Sequence, residues 1–406
     1  MTGLGDNWNM IEKLEYQTRM ARLQSLISRS GLQVFLVSGE ESIYYLTGVS
    51  YRPLERPFFI LVQPRQDAAL LVPALEQEHL SAAPNVGEVH AYWEYPSPPG
   101  QGYVEKLAAL LDGLRLENGA LGVEPTLPQE VAVQLAGFQP RTLPLVEELR
   151  LVKSPAEVGL LRQAAYFADL AVQKVLAAAY HGVSELELFS QGRGVQLEII
   201  RRVGYDPLTT SVLVGAWPAP LSAQPHSVPS VADRLRHGPH VALSLLRVNG
   251  YAAECERTFF LAPPDREMQQ AFAAMSEARR RAFALVRPGA PCAEIDAAAN
   301  GFLRQEGYGE RLLHRTGHGF GLGGHEGPWV AEGSPDVLQE NMLISVEPGI
   351  YLPGVGGVRH SDTVLVTASG YEVLTRNPTG LEALTVRGWK PLQRLQGALV
   401  RSAAKI

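Results

Sequence analysis

Histidines concentrate in one part of this chain. Seven of its ten histidines lie between His226 and His360, and three of them, His314, His318 and His325, occur in the stretch LHRTGHGFGLGGHEGP. Glycine lets the backbone pass close to a ligand or to another strand, so imidazoles can converge in such a stretch without crowding. A lone histidine is usually a hydrogen-bonded structural side chain, but three among glycines indicate a functional site.

Acidic residues supply the second half of this candidate site. Glu347 ends an apolar, strand-like run, and a carboxylate there needs a partner because an unpaired buried charge is costly. Glu254, Glu256 and Arg257 follow another apolar run. Glu256 and Arg257 could be no more than a structural ion pair. If the carboxylates and histidines meet, these residue types predict proton transfer or cation binding.

The helix that precedes these clusters has a clear start. Ser154, Pro155 and Glu157 combine a capping serine, a proline at the first helical position and a glutamate at the third, which is a capping box. The apolar spacing that follows predicts a long helix that runs to about Tyr180 and is ended by Gly182.

A second long helix is predicted from about Asp265 to Pro288, with Arg279 as the one polar residue on its apolar stripe. The two helix exits are similar, since HGVSELEL begins at His181 and PGAPCAEI begins at Pro288. Each has glycine second, glutamate seventh and an aliphatic residue eighth. Because each exit leads to another helix and then to strands, we predict a duplicated half-domain.

The beginning of the chain has a different pattern. Apolar residues at helical spacing from Met10 to Ile27 precede a strand-like run from Val34 to Val37, and short apolar runs then alternate with helical stretches. We therefore predict an α/β domain over residues 1–150 and a second domain over residues 151–406.

Composition and charge exclude several classes of partner. The chain is 46% hydrophobic and 19% charged, which is typical of globular proteins, and its formal net charge of -6 lacks the basic excess needed to bind nucleic acid. Cys255 and Cys292 lie in no paired-cysteine motif, so neither a disulfide framework nor a cysteine zinc site is expected. No signal peptide or membrane span is predicted, and we expect a cytoplasmic protein.

From Ser154 to Thr385 the sequence resembles the creatinase, aminopeptidase P and prolidase superfamily, with a weaker match before it. The motifs that carry the resemblance are KSPAEV at Lys153, PH at His226, NGYAAECERTFF at Asn249, GHGFGL at Gly317, HEGP at His325, EPGIY at Glu347 and GGVRHSDTVLV at Gly356. Each motif alone is weak, but together in this order they are specific. The resemblance implies an α/β N-terminal domain and an α+β pita-bread catalytic domain with an internal pseudo-repeat.

The peptidases of this superfamily hold two metal ions with two aspartates, a histidine and two glutamates. The resemblance places their histidine at His318, their first glutamate at Glu347 and their second aspartate at Glu254. If a metal is bound, these three residues are its expected ligands.

The other two ligands of the peptidases are replaced. The first aspartate falls on Leu243, or on Ser244 with one gap, and the final glutamate falls on Ser361. A serine hydroxyl cannot replace the charge that holds a second divalent cation. We therefore expect no cofactor, and the alternative is one weakly held Mn²⁺ or Zn²⁺, with His360 as a further nitrogen donor.

Creatinases share this fold and work without metal, and the sequence is similar to theirs at several functional positions. Their catalytic histidine matches His226, and their two substrate-binding glutamates match Glu256 and Glu347. Their histidine near the chain end falls on Ser361, beside His360, and one of their arginines has no clear counterpart. Ectoine hydrolases, metal-free relatives that open a cyclic amidine, are a comparable possibility.

The leading hypothesis is hydrolysis of a carbon–nitrogen bond in a small zwitterion. His226 would relay a proton from the attacking water to the leaving nitrogen, while Glu256 and Glu347 hold a cationic amidine or guanidine group. His318 and His325 would polarise the electrophile, or bind the substrate carboxylate if protonated. Further substrate contacts are predicted for His314, Glu254, Tyr351, Arg359 and His360.

Two other functions stay open. An Xaa-Pro dipeptidase or aminopeptidase with an altered metal site is favoured by the EPGIY and HEGP motifs, by Arg359, and by His314 at the position of an accessory histidine. A non-catalytic binding protein is the third possibility, since this fold has been reused for recognition. Retention of the histidines and glutamates disfavours it.

The predicted partners are a small-molecule substrate or short peptide and a second copy of the chain. The resemblance implies a homodimer in which the N-terminal domain supplies part of the site. Arg52 or Arg56 could reach a substrate carboxylate across subunits, although a solvated loop is a comparable interpretation.

Overall fold

The computed structural model describes residues 11–81, 83–94, 96–388 and 390–405. Within this part the chain forms two compact units that divide between Leu151 and Val152. Each unit is built on its own sheet. None of the described helices is both long and apolar enough to cross a membrane.

The first unit is an α/β domain around a mixed six-stranded sheet in the order β4-β3-β2-β1-β5-β6. Its strands are β1 (Val34–Val37), β2 (Phe59–Val62), β3 (Ala68–Pro73), β4 (Val86–Tyr92), β5 (Leu121–Val123) and β6 (Arg141–Thr142). Its helices are α1 (Lys13–Arg29), α2 (Glu40–Thr47), α3 (Gln77–Leu80), α4 (Tyr103–Gly113), α5 (Gln129–Gln134) and α6 (Leu145–Leu151). The apolar run predicted as the first strand is fully buried as β1. The predicted start of the first helix, Met10, lies outside the described residues.

The second unit is built on a nine-stranded sheet in the order β11-β10-β12-β14-β9-β8-β7, with β13 and β15 also paired to β14. Its strands are β7 (Ser211–Trp217), β8 (His240–Val248), β9 (Tyr251–Phe259), β10 (Gly317–Gly319), β11 (Glu326–Val330), β12 (Leu343–Val346), β13 (Gly349–Leu352), β14 (Gly356–Thr367) and β15 (Gly370–Val373). Its helices are α7 (Pro155–Ala178), α8 (Glu185–Phe189), α9 (Gln191–Val203), α10 (Arg266–Phe283), α11 (Cys292–Asp296) and α12 (Pro391–Ala404).

Helix α7 starts at the predicted capping box. The Ser154 hydroxyl accepts a hydrogen bond from the Glu157 backbone N–H at 3.2 Å, and the Ser154 N–H donates to Glu157 Oε2 at 3.0 Å. These bonds satisfy backbone donors that have no partner within the helix, so the local sequence fixes where the helix begins.

An ion pair accounts for Arg279, the one polar residue on the apolar stripe of helix α10. Arg279 donates from Nε to Asp362 Oδ2 of β14 at 3.0 Å, and Arg257 of β9 donates to the other oxygen of Asp362 at 2.7 Å. The helix therefore covers one face of the sheet through a buried charge network as well as through apolar packing.

The two similar helix exits have the same backbone conformation. Gly182 has φ 89° and Gly289 has φ 84°, a region that glycine adopts without the steric cost of a Cβ atom. The short helices α8 and α11 follow, and isolated bridges tie Ser184 to Arg234 and Pro291 to Val337. The predicted internal repeat is therefore present at the level of backbone geometry.

Candidate active site

Four neighbouring strands present a row of residues on one face of the second sheet. Gly215 of β7 lies opposite Leu243 of β8, Leu243 lies opposite Glu256 of β9, and Ser361 of β14 lies on the other side of Glu256. Because side chains alternate along a strand, Glu254 projects to the same face as Glu256. The sheet therefore collects two carboxylates and the two replaced ligand positions in one place.

The strand register also distinguishes Leu243 from Ser244 as the residue at the position of the peptidases' first aspartate. Ser244 lies opposite Cys255, on the other face of the sheet, and its hydroxyl is buried without a hydrogen-bond partner. Leu243 therefore occupies the position beside Glu256, and an apolar side chain replaces the aspartate.

A cavity of about 630 Å³ lies over this face. Its polar lining consists of Glu185, His226, Ser227, Glu254, Glu256, His314, Arg315, His325, Glu347 and Arg359. Its remaining lining is mostly apolar and includes Phe189, Leu213, Val214, Trp217, Val228, Val231, Leu243 and Leu245. An apolar cavity with a few convergent polar groups is typical of a small-molecule site.

His318 is held in the form that can bind a cation. Its Nδ1 lies 3.1 Å from the carbonyl oxygen of Gly319, which can only accept, so Nδ1 carries a proton. Its Nε2 faces Glu347 Oε1 at 3.3 Å without completing a hydrogen bond. A nitrogen lone pair beside a carboxylate oxygen needs a proton or a metal cation between them.

Two overlapping sets of donors surround this point. Ligand atoms of Glu254, His318 and His325 lie within 4.8 Å of one another, and so do those of Glu254, Glu256 and Glu347. Glu254 Oε1 is buried without a hydrogen-bond partner. These oxygen and nitrogen donors fit one Mn²⁺ or Zn²⁺, so the expectation of no cofactor is not supported.

The carboxylates of the cluster differ in charge. Burial, together with the charges of Glu256 and Glu347, raises the pKa of Glu254 well above its ordinary value. Burial would also raise the pKa of Glu347, but His318, His314 and Arg359 outweigh it and lower this pKa to about 2. These shifts favour the anionic form of Glu347 and the neutral form of Glu254, and a cation beside Glu254 would favour its anionic form.

Arg359 pairs with Glu256, one of the two glutamates predicted to hold the substrate. Its Nε and its terminal nitrogen each lie 2.5 Å from an oxygen of Glu256. Burial raises the pKa of Glu256 to about 7, with Arg359 opposing the shift. Glu256 lines the cavity, but its charge is already matched by a cation of the protein.

His314 and Tyr351 extend this pair into a chain. Arg359 donates to the Tyr351 hydroxyl at 3.3 Å, and His314 Nε2 lies 2.7 Å from the same oxygen. His314 Nδ1 lies 2.7 Å from the Arg315 carbonyl, so Nδ1 donates and Nε2 accepts the tyrosine proton. Burial lowers the pKa of His314, which agrees with a neutral ring. Both ring nitrogens are thus occupied.

The structure brings seven of the ten predicted site residues to the cavity wall: His226, Glu254, Glu256, His314, His325, Glu347 and Arg359. His318 lies behind the wall with its ring centroid 3.8 Å from that of His325. Tyr351 is buried behind Arg359. His360 does not reach the cavity, because alternation along β14 directs it to the opposite face, where its ring packs on Phe272 of α10 at 5.2 Å. The structure therefore places His360 away from the cavity, where the sequence predicted that it contacts the substrate or assists a metal.

Two charged cavity residues, Arg315 and Glu185, were not assigned a role from the sequence. Arg315 stacks its guanidinium on Trp329, with 4.5 Å between the guanidinium carbon and the ring centroid. It stands inside the glycine-rich histidine stretch, so its position was a usable signal. Glu185 is 4% exposed and belongs to the repeated helix exit, where its pattern indicated a helix start rather than a binding group.

The chain is similar to known proteins along both units. Residues 159–368 match metallopeptidase family M24, and residues 19–152 match the creatinase/prolidase N-terminal domain. An uncharacterized peptidase of Staphylococcus aureus strain USA300 is 30% identical over 361 residues, covering 88% of this chain and 99% of the relative.

Solved structures give the same result. An Xaa-Pro dipeptidase from Bacillus anthracis has a TM-score of 0.75 at 27% identity and covers 90% of this chain and 99% of its own. A prolidase from Thermococcus sibiricus has a TM-score of 0.79 at 27% identity, with coverage of 92% and 99%. These matches confirm the predicted creatinase-type N-terminal domain and pita-bread C-terminal domain.

Proposed function

Because this chain is a hydrolase that belongs to metallopeptidase family M24, we propose that it cleaves a carbon–nitrogen bond in a small zwitterionic substrate without a dinuclear metal centre. One observation carries the proposal. Leu243 and Ser361 flank Glu256 on the cavity face, at the positions where the family resemblance expects an aspartate and a glutamate. Neither residue offers an anionic oxygen, so the remaining donors suit one cation at most.

The cavity supports a substrate of modest size with an apolar part. Its volume of about 630 Å³ is in the range of small-molecule sites. Leu213, Leu243 and Leu245 form an apolar wall beside the carboxylates. Arg315 offers forked donors that match a substrate carboxylate, while Glu347 offers the negative charge that a cationic group requires.

In the proposed reaction, water attacks the carbon of the scissile bond, so that a C–O bond forms and the C–N bond breaks. His226 takes a proton from the water and delivers it to the leaving nitrogen. Burial and the neighbouring His318 lower the pKa of His325 to about 4, so its neutral ring can orient the water at pH 7. Glu347 holds the cationic part of the substrate in place.

Glu256 has a smaller role in this proposal than the sequence suggested. Because Arg359 already matches its charge, Glu256 keeps Arg359 and Tyr351 in position rather than gripping an amidine. Glu254 and Glu347 are the carboxylates left for the substrate or for a cation.

A second candidate is an Xaa-Pro dipeptidase that works with a single metal ion. It is favoured by the donor atoms of Glu254, His318 and His325, which lie within 4.8 Å of one another. It is also favoured by the similarity to solved Xaa-Pro dipeptidase and prolidase structures. A divalent cation held by Glu254 and His318, with His325 or Glu347 as the third donor, would supply Lewis-acid polarisation of the substrate oxygen.

Assays of chelated and metal-loaded protein distinguish the two candidates. Protein whose metal content has been measured is offered cyclic amidines, guanidino acids and dipeptides ending in proline, with and without added Mn²⁺ or Zn²⁺. Turnover of an amidine or guanidine by metal-free protein supports the first candidate. Turnover of prolyl dipeptides that follows bound metal, with the amidines untouched, overturns it in favour of the second.

A further inference from the structure

One polar group on the cavity wall has no part in the proposed chemistry. Glu185 begins helix α8 and is 4% exposed. Its Oε1 accepts a hydrogen bond from the Ala216 backbone N–H at 2.9 Å, while its Oε2 is buried without a hydrogen-bond partner. A buried polar atom without a partner costs free energy. The position of Glu185 in the cavity lining therefore indicates that a ligand supplies the partner of Oε2.

The neighbouring strand is shaped to admit this side chain. A Cβ atom at Gly215 would lie 2.5 Å from Glu185 Oε1, a distance at which Glu185 would have to move. Glycine at this point of β7 therefore lets the carboxyl group lie directly over the sheet. Two contacts fix the Glu185 carboxyl group: the hydrogen bond from Ala216 N–H and the close approach to Gly215.

Glu185 lies at a distance from the hydrolytic groups. Gly215, Leu243 and Glu256 lie side by side on three adjacent strands, so Glu185 is separated from Glu256 by two strand spacings, or roughly 10 Å. Leu243 fills the space between them. The cavity thus has two polar ends joined by an apolar wall.

The charge state of Glu185 follows from its surroundings. No lysine, arginine or histidine among the described residues forms an ion pair with it, and the one charged group acting on it is Asp233. Burial and this like charge raise the pKa of Glu185 to about 8, with the Ala216 hydrogen bond opposing the shift. Near neutral pH the carboxyl group is therefore a proton donor at Oε2.

We propose that Glu185 is a specificity-determining residue that donates a hydrogen bond from Oε2 to an uncharged carbonyl oxygen of the substrate, across the apolar wall from the scissile bond. The substrate class is therefore a small zwitterion with an apolar middle segment and an amide-type carbonyl at its far end, such as a short acylated or peptide chain. This substrate assignment rests on the proposed function of the cavity, whereas the binding of a carbonyl group by Glu185 can be measured without turnover.

The test uses two small probes, pentanamide and pentylammonium chloride, titrated calorimetrically into the full-length protein at pH 6.5. We expect pentanamide to bind the wild type and Glu185→Gln with similar affinity, because the glutamine amide keeps both the Ala216 contact and a donor. Glu185→Met keeps the length but has no donor, so its affinity should fall about tenfold, the equivalent of roughly 1.4 kcal/mol. Glu277→Gln, on helix α10 and outside the cavity lining, should bind pentanamide as the wild type does.

Three results would overturn the proposal: no pentanamide binding by the wild type, equal affinity in Glu185→Met, or preference for pentylammonium that is lost in Glu185→Gln. The last result would assign Glu185 as an anionic receptor for amines. If Glu185→Met does not fold, infrared difference spectra of the wild type test whether Glu185 donates a hydrogen bond to pentanamide. The carbonyl band of the protonated Glu185 must shift on addition of pentanamide, and Glu185→Gln must lack that band.

Discussion

Arg359 and Glu256 form a buried pair with two nitrogen–oxygen contacts of 2.5 Å, in the centre of a site where the sequence predicted a free, substrate-gripping glutamate. The pair joins β14 to β9 and continues through the Tyr351 hydroxyl to His314. A cation from the protein therefore occupies the place assigned to the substrate, and the pair becomes a structural part of the cavity wall.

Removal of one partner of this pair should destabilise the protein. Arg359→Met leaves Glu256 buried without its cation, and we expect the free energy of unfolding to fall by about 3–5 kcal/mol at pH 8. At pH 6 the loss should be smaller, because Glu256 can then take up a proton. Urea denaturation at both pH values measures it. Addition of Glu256→Gln should recover part of the loss, and the exposed Arg304→Met should cost no more than about 0.5 kcal/mol. Equal losses at both pH values would contradict this account.

Metal stoichiometry should follow the replaced positions Leu243 and Ser361. We expect the wild type to bind at most one Mn²⁺ or Zn²⁺ per chain, as measured by metal analysis and calorimetry. The double variant L243D/S361E restores two anionic oxygens beside Glu256 and should bind two. L243N/S361Q adds the same bulk without charge and should stay at one or none. Two ions per wild-type chain would contradict the proposal of an incomplete centre.

Local sequence was sufficient to predict most of the fold. The capping box at Ser154 and the apolar strand runs act over a few residues, so each could be recognised without knowing the tertiary structure. The two long helices end at Ala178 and Phe283, before the predicted stops at Gly182 and Pro288. Arg279 was recognised as an exception on its helix, but its partner Asp362 is distant in sequence and became visible only when β14 and α10 met.

The site was less predictable because strand register decides which side chains share a face. A shift of one residue moves a side chain to the other face of the sheet. His360 and Ser244 were candidates by sequence proximity, and both lie on the opposite face from the cavity. Glu185 could not be identified as a binding group from its helix, because only the tertiary structure brings its carboxyl group over Gly215 and places the residue in the cavity lining.

His226 is expected to be essential for turnover and dispensable for folding. It is exposed at the mouth of the cavity, so His226→Ala should leave the free energy of unfolding within about 0.5 kcal/mol of the wild type. Loss of a general acid–base group should lower kcat by roughly 10²–10⁴-fold on whichever of the amidines, guanidino acids or prolyl dipeptides proves to be a substrate. His237→Ala, an exposed histidine outside the cavity lining, is the matched control. Full activity of His226→Ala would remove His226 from the mechanism.

Arg315 should act on substrate affinity rather than on chemistry. A charge-assisted hydrogen bond to a substrate carboxylate contributes about 1.5–3 kcal/mol, so Arg315→Ala should raise KM by roughly ten- to hundredfold with little change in kcat. The same variant should not affect an analogue whose carboxylate is replaced by an amide. Arg304→Ala provides the control. An equal rise in KM for both compounds would show that Arg315 supports the cavity through Trp329 rather than binding the carboxylate.

Glu185 should make the free energy of unfolding depend on pH, and Glu185→Gln should remove this dependence. Its pKa is raised from 4.5 to about 8, so between these values the folded protein keeps a proton that the unfolded chain releases. The free energy of unfolding therefore falls as pH rises, by up to about 1.4 kcal/mol per pH unit for this group. Glutamine does not titrate, so the stability of Glu185→Gln relative to the wild type should increase steadily in urea denaturation from pH 5 to pH 8. The control is Glu277→Gln, because Arg280 and Arg281 lower the pKa of Glu277 to about 2 and both states are ionised throughout this range. A constant difference between Glu185→Gln and the wild type would mean that Glu185 is ionised at neutral pH and cannot donate to a substrate carbonyl.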